Sequence, residues 1–339
     1  MLLRTLKVPL LLTIVALIGT LIFGGFQTMI IVAILAILEI SLSFDNAVVN
    51  AKILGRMTEY WQKIFLTVGI AIAVFGMRLV FPLAVVSLAG SINPFKVLDL
   101  ALTRPDEYAR ILTSAHPAIA AFGGIFLLMI FLDWLFEERE IRWLRFIEEP
   151  LAKIGELNYL SVILSLLALG VSALTFAHDH ANQILISGIF GLIAYLAVNS
   201  LSDHFDEDST ALKAGKAGFF TFIYLELLDA SFSFDGVIGA FAISNQILVI
   251  ALGLGIGALY IRSLTVYLVR KGTLSDYVYL EHGAHYAIGA LAILLFASIT
   301  HEIPEVITGL IGVGFILTSF IHSKINNDRQ RIQNTATSS

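Results

Sequence analysis

The sequence predicts an all-α polytopic membrane protein of about ten transmembrane helices, arranged as two inverted five-helix repeats with broken acidic helices at the centre. Three observations carry that expectation. The chain is 58% hydrophobic and only 14% charged, where a soluble domain carries about 25% charged residues. Apolar runs of about 20 residues, each able to cross about 30 Å of hydrocarbon as a helix, recur from end to end. An acidic motif lies twice inside such runs: Glu39-Ile40-Ser41-Leu42-Ser43-Phe44-Asp45-Asn46 and, 190 residues later, Asp229-Ala230-Ser231-Phe232-Ser233-Phe234-Asp235-Gly236. An acid followed by Ser-x-Ser-Phe-Asp, twice in 339 residues, marks an internal duplication.

The predicted spans are 8–25, 27–51, 62–90, 117–136, 158–177, 183–202, 217–242, 246–269, 283–300 and 303–321. The first follows Arg4 and Lys7 as a signal peptide would. No small-x-small cleavage site comes after it, and Gly24-Gly25 leads straight into another apolar run, so it reads as a transmembrane helix. The second and seventh carry the two motifs, and the third and eighth each embed an arginine, Arg78 and Arg262. Short breaks at Gly24-Gly25, Ala181-Asn182 and Thr300-His301 read as tight hairpin turns. Two longer connections, 91–117 and 202–218, read as polar loops, the second with a solvated acidic run from Asp203 to Asp208. The whole chain, 1–339, forms a single transmembrane domain, with 1–180 as the first repeat half, 181–322 as the second, and 323–339 as a disordered cytoplasmic tail.

Lysine and arginine set the expected orientation. With the N-terminus in the cytoplasm, alternate connections carry Lys52 and Arg56; Arg139, Arg142, Arg145 and Lys153; Lys213 and Lys216; Arg270 and Lys271; and the tail. The opposite side has Lys96, Arg104 and Arg110 in one loop. Both termini therefore fall inside, and the two motif helices run in opposite directions. Inverted repeats of that kind place binding sites near the bilayer midplane. Glu39 and Asp229 each lie about twelve residues into their spans, at mid-depth for a rise of about 1.5 Å per residue.

A charge at the centre of a spanning helix costs about 2.5–3.5 kcal/mol, and Glu39, Asp45, Glu226, Asp229 and Asp235 all fall within spans. Arg78 and Arg262 offset two of them. The excess must bind protons or a cation, because like charges held close raise one another's pKa values, and exchanging one for the other is the minimal chemistry of a proton-coupled cation transporter. Residues six apart on a straight helix are separated by about 9 Å along its axis, so Glu39 and Asp45 share an ion only if the helix unwinds near Ser-Phe-Asp or the motif helices cross. Unwound carbonyls and carboxylates, with Asn46, Asn50, Ser41 and Ser231 nearby, form a hard oxygen site suited to manganese, magnesium or calcium. The structural alternative has Asp45 and Asp235 pairing with Arg78 and Arg262 to lock the helices, and Glu226, a candidate ligand whose repeat partner is Ala36, suits a structural role more readily than the other acids. The arginines otherwise serve as surrogate cations in an empty site.

Other classes are excluded by what the chain lacks. Without cysteine there are no disulfides or thiolate metal sites. A net charge of −5 with no basic stripe argues against nucleic acid. No nucleophile motif points to an enzyme, and no permanently bound cofactor is expected. His178-Asp179-His180 reads as a wet outer turn. Glu281, His282 and His285, with Glu281 and His285 on one face at i, i+4 spacing, and His301-Glu302 with Glu305 read as helix starts, Glu302 suiting the helix dipole. Asp133 lies near a helix end beside Trp134, a natural interface anchor.

Glu39 to Asn50 and Asp229 to Ala240, each followed by a helix with an embedded arginine (Gly76-Met77-Arg78 and Tyr260-Ile261-Arg262), resemble the TerC family of integral membrane proteins, in its YkoY-like branch, over roughly residues 27–321. The resemblance implies membership of the wider LysE-like transporter superfamily, a bacterial inner-membrane location and a role in manganese export or metal-ion homeostasis. It places the family's acidic positions on Glu39, Asp45, Asn46, Asp229 and Asp235, with Gly236 departing from Asn46. The expected function is export of a divalent cation, Mn2+ favoured, by proton antiport, so the expected partners are that ion, protons and the bilayer; protein partners stay open. The alternatives are a non-transporting membrane partner in metal-stress or secretion complexes, and a transporter of a small organic cation or amino acid.

Overall fold

The computed structural model describes residues 6–155, 157–176, 180–206, 211–271, 276–301 and 303–337; the side chains of Asp45, Phe234, Asp235 and Glu305 lie outside that description, as do residues His178, Asp179 and Glu302. Among the described residues the chain is helical, with no strand. In order, α1 spans Lys7–Leu42, α2 Phe44–Arg56 and α3 Glu59–Ala71. A π-helical stretch, Ile72–Val80, runs on into α4, Phe81–Ala89. Helices α5 (Pro94–Thr103), α6 (Pro105–Ser114), α7 (His116–Phe136) and α8 (Arg145–Ile154) follow. Then come α9 (Leu160–Val171) with a π-helical Ser172–Phe176, α10 (Ala181–Asp206), α11 (Ala211–Ile243), α12 (Ile247–Lys271), α13 (Leu280–Ser298) and α14 (Glu305–Thr337).

Among the described residues seven helices are long and apolar enough to cross a membrane: α1, the Glu59–Ala89 run, α7, α10 to Leu201, α12, α13 and Val306–Arg329 of α14. The predicted ten map onto fewer such elements for identifiable reasons. Span 158–177 is a shorter apolar helix, and α11 carries Lys213, Lys216, Glu226, Asp229 and Asp235, which dilute its apolar character. The first two predicted spans form one element, α1, interrupted at Gly25 with φ 80° and ψ 177°. That interruption reverses the chain. Thr13 Oγ1 reaches Tyr260 Oη at 3.3 Å, while Glu39 and Ala36, across Gly25 from it, pack on Gly257 of the same helix; on a straight rod residues 13 and 39 would stand about 39 Å apart. This backbone region belongs to glycine, at a cost of order 1–3 kcal/mol for other residues. Gly25→Ala is therefore expected to lower stability by about that amount, measurable by thermal unfolding in detergent.

Prolines fix several starts. Pro94, Pro105 and Pro117 sit in first turns, where a missing N–H costs nothing, and Asn93 caps α5 by accepting from the Phe95 N–H at 3.0 Å. The stretch 91–117, expected as a polar loop, is thus mostly helix, its apolar residues Val97, Leu100, Tyr108 and Leu112 buried. The stretch 202–218 is likewise helical except at 207–210, outside the described residues. Helix α14 extends to Thr337 through Lys324, Arg329, Gln330 and Arg331, all good helix formers. The core forms where α7 packs between α10 and α13, and α12 packs along α1.

Candidate functional site: two arginine-held carboxylate clusters

The first cluster sits on α1. Glu39 is 4% exposed and Arg78 2%. The Arg78 guanidinium pairs with Glu39 Oε1 through Nη2 and donates through Nη1 to the Ala73 carbonyl at 2.6 Å. Ser43 Oγ adds a hydrogen bond to the same carboxylate oxygen at 3.2 Å. Arg78 lies in the π-helical stretch, a geometry frequent at functional sites, whose wider turn presents the side chain to its own residue 73. Helix α12 closes the other side, because a Cβ on Gly257 would overlap the Cβ and Cγ of Glu39.

The second cluster joins α11 to α12. Arg262, 2% exposed, donates through Nη1 to Glu226 Oε1 at 2.8 Å and through Nη2 to Glu226 Oε2 at 3.0 Å and Asp229 Oδ2 at 3.1 Å. The fork-to-fork contact with Glu226 is the geometry guanidinium groups favour. The guanidinium carbon lies 4.0 Å over the Phe65 ring of α3. A Cβ on Gly69, also in α3, would fall 2.6 Å from Arg262 Nη1 and 2.9 Å from Glu226 Oε1, so the glycine is needed for the close approach.

The two clusters are related crosswise. Arg78 and Arg262 are 184 residues apart, as are Gly69 and Gly253. Gly69 of the first half packs on Phe222 of the second motif helix; Gly253 of the second half packs on Val32 and Leu35 of the first, and Phe222 and Val32 share the 190-residue motif offset. The motifs also meet, since Glu39 Oε2 lies 3.4 Å from where a Cβ on Gly236 would stand.

Several sequence expectations take a different form here. Arg78 pairs with Glu39, and Arg262 with Glu226 and Asp229; the side chains of Asp45 and Asp235, which the locking scheme assigned to these arginines, lie outside the described residues. Glu226, without a repeat counterpart, is the main partner of Arg262. The helix breaks only in the first motif, at Ser43 (φ −98°, ψ 16°). Helix α11 passes unbroken through Ser231 and Ser233, and Ser231 bonds back to the Leu227 carbonyl at 2.9 Å. Asn46 and Asn50 are buried, and Asn50 Oδ1 finds no hydrogen-bond partner among the described residues. Among those residues no three His, Asp or Glu side chains stand close enough to hold one metal ion. No separate motif marks Gly69, Gly253 or Phe65, although the glycines and the arginines share the 184-residue offset.

Away from the clusters, a cavity of about 490 Å³ lies between the C-terminal half of α2 and the N-terminal half of α11, and Asp133, Glu137, Tyr195 and His285 line it. Tyr195 Oη donates to Asp133 Oδ2 at 2.6 Å. Glu281, one turn from His285 on the same helix, pairs with Lys52 of α2, and its carbonyl takes the His285 Nδ1 hydrogen bond at 2.9 Å. Trp134 is 5% exposed and no interface anchor: it stacks on His285 at 4.5 Å and supports the Arg139 guanidinium 3.8 Å over its ring. Burial lowers the Arg139 pKa against the opposing pull of Glu148 and Glu137. Glu148, 1% exposed, accepts from the Trp143 and Leu144 N–H groups and the Tyr286 hydroxyl and faces His282 Nε2 at 3.6 Å, which moors α8 to α13.

Comparison with known proteins agrees with a membrane location. The chain is 32% identical over 120 residues to the uncharacterized membrane protein YceF of Bacillus subtilis (strain 168). The match covers 35% of this chain and spans about half the relative's length, 46%. No solved structure matches. With its long apolar helices, the chain is a multi-pass membrane protein. The match that covers most of the molecule, residues 44–330, is to the family described as Protein of unknown function (DUF475), and the chain belongs to that family.

Proposed function

We propose that the protein is a secondary transporter exporting a divalent cation, Mn2+ in the first place, by proton antiport through the carboxylates of the two motifs, in the manner the TerC resemblance implies. One observation carries the proposal: each motif's leading acid, Glu39 or Asp229, is buried and held by the arginine of its own half, where the two halves pack crosswise. Charges so deep in a spanning bundle mark ion or proton paths by default. Replacing buried ion pairs by apolar residues is often neutral or stabilising, so stability alone is a poor reason to carry five charged groups there.

In this reading the bundle has ten spans in two inverted halves, counting the two arms of α1 separately, in an inner membrane with both termini cytoplasmic. In the same reading the guanidinium groups of Arg78 and Arg262 stand in for the cation at the carboxylates. An arriving ion displaces an arginine from its carboxylate, Asp45 and Asp235 complete the oxygen set, and a proton from outside discharges it. The test is Mn2+ flux in proteoliposomes under an imposed pH gradient, with Mg2+ and Ca2+ as competitors. Glu39→Gln and Asp229→Asn are expected to abolish gradient-driven flux while the protein stays folded. Flux that persists in both variants would make the clusters helix locks; no flux of any cation from folded native protein would overturn the transport reading itself.

A further inference from the structure

The membrane-length helix α7 ends at Phe136 and the apolar run of α9 starts at Leu160, so the connection 137–159 lies at one face of the membrane. Within it, α8 presents Phe146, Pro150 and Ile154 on one stripe at i, i+4 and i+8, all three exposed. Exposed Leu157 and Tyr159 extend that apolar surface. At this level the bilayer's own headgroup and acyl boundary covers such a stripe. The far side of α8 is fixed to the bundle: Glu148 and Ala152 are buried, and Glu148 accepts from the Trp143 and Leu144 N–H groups and from the Tyr286 hydroxyl of α13.

A cavity of about 380 Å³ lies beside that stripe, between the end of α7 and α8. Phe136, Ala152 and Gly155 wall it, and a Cβ on Gly155 would overlap the Phe136 carbonyl, so the two helix ends are in close contact there. The lining carries two charges of each sign, Glu138 and Glu149 against Arg142 and Lys153. These groups are largely uncommitted. Arg142 and Glu149 stand 3.9 Å apart, at the outer limit of an ion pair, and Glu138 and Lys153 form no ion pair with any described residue.

We propose that this cavity binds the headgroup of a zwitterionic phospholipid, with the phosphate on Arg142 and Lys153 and the ammonium on Glu138 and Glu149, while the acyl chains stay in the bilayer that covers the Phe146 stripe. Guanidinium and ammonium groups suit phosphate oxygens, and basic pockets at this level of a membrane protein take lipid headgroups. The two carboxylates decide which headgroup. An anionic one brings the same phosphate but no positive charge for Glu138 and Glu149, and like charges set together cost affinity. A headgroup ending in an amine pairs all four side chains. The bound lipid ties the end of α7 to α8, a role separate from the motif acids and from transport.

The test is a titration of the full chain in neutral detergent, read by native mass spectrometry, with phosphatidylethanolamine and phosphatidylglycerol of matched acyl chains and with free phosphoethanolamine. Phosphatidylethanolamine is expected to bind about fivefold tighter than phosphatidylglycerol, as for one exposed ion pair at the top of its range. Lys153→Gln should weaken phosphatidylethanolamine by a similar factor. Glu138→Gln should weaken phosphatidylethanolamine and strengthen phosphatidylglycerol, erasing the preference, whereas a merely structural residue would move both lipids together. Glu138 and Lys153 are exposed, so both variants are expected to fold. Equal binding of the two lipids by the native chain, a preference unchanged in Glu138→Gln, or free phosphoethanolamine binding as tightly as the lipid would each overturn the proposal.

Discussion

Arg262→Met is expected to destabilise the protein by about 3–5 kcal/mol, the cost of leaving a buried ion pair without one partner. The geometry makes this position more exposed to loss than Arg78. One guanidinium serves both carboxylates of Glu226 and Asp229, so its removal strands two negative charges in a bundle with no water at hand. Those groups can then persist only by taking up protons. The measurement is denaturant or thermal unfolding in detergent across pH, where the variant should regain stability as the pH falls and the stranded carboxylates protonate. The triple variant Arg262→Met with Glu226→Gln and Asp229→Asn should recover most of the loss, because it removes the charges rather than one side of them. A triple variant as unstable as the single one would show that Arg262 acts through its packing on Phe65 instead.

Gly257→Leu is the second large expectation. The position has no room for even a Cβ, since Glu39 occupies that space, and small residues at helix crossings are how membrane helices bring backbones close. A leucine there must push α12 from the second arm of α1, at about 1–3 kcal/mol for overpacking, and it turns Glu39 away from Arg78. Flux should disappear together with the pairing. Gly69→Leu should produce a loss of similar size by striking Arg262 and Glu226 in the second cluster.

The duplicated motif and the embedded arginines were legible because they are strings in the sequence, and the 190-residue offset is visible without coordinates. Which acid each arginine holds was not. That choice depends on helix rotation, and a π-helical stretch, which turns Arg78 by an amount no spacing rule gives, decided it for the first half. Trp134 was misjudged for a related reason: an aromatic near a helix end suits a membrane interface and a packed core equally well, and its partners, His285 and Arg139, lie 151 and 5 residues away along the chain. The reversal at Gly25 was readable because a glycine pair between apolar runs has few other uses.

The interruption at Ser43 has no counterpart in the second copy, where α11 runs as one rod of 33 residues, about 50 Å long. The duplicated halves are thus mechanically unequal, a jointed arm set against a strut. Bending is cheap where the backbone has already left helical geometry, whereas bending α11 would mean breaking consecutive hydrogen bonds with little water to replace them. Any rearrangement that opens this bundle is therefore expected to swing the Glu39 arm about a fixed Asp229 post, so that two copies of one motif take unequal parts in it.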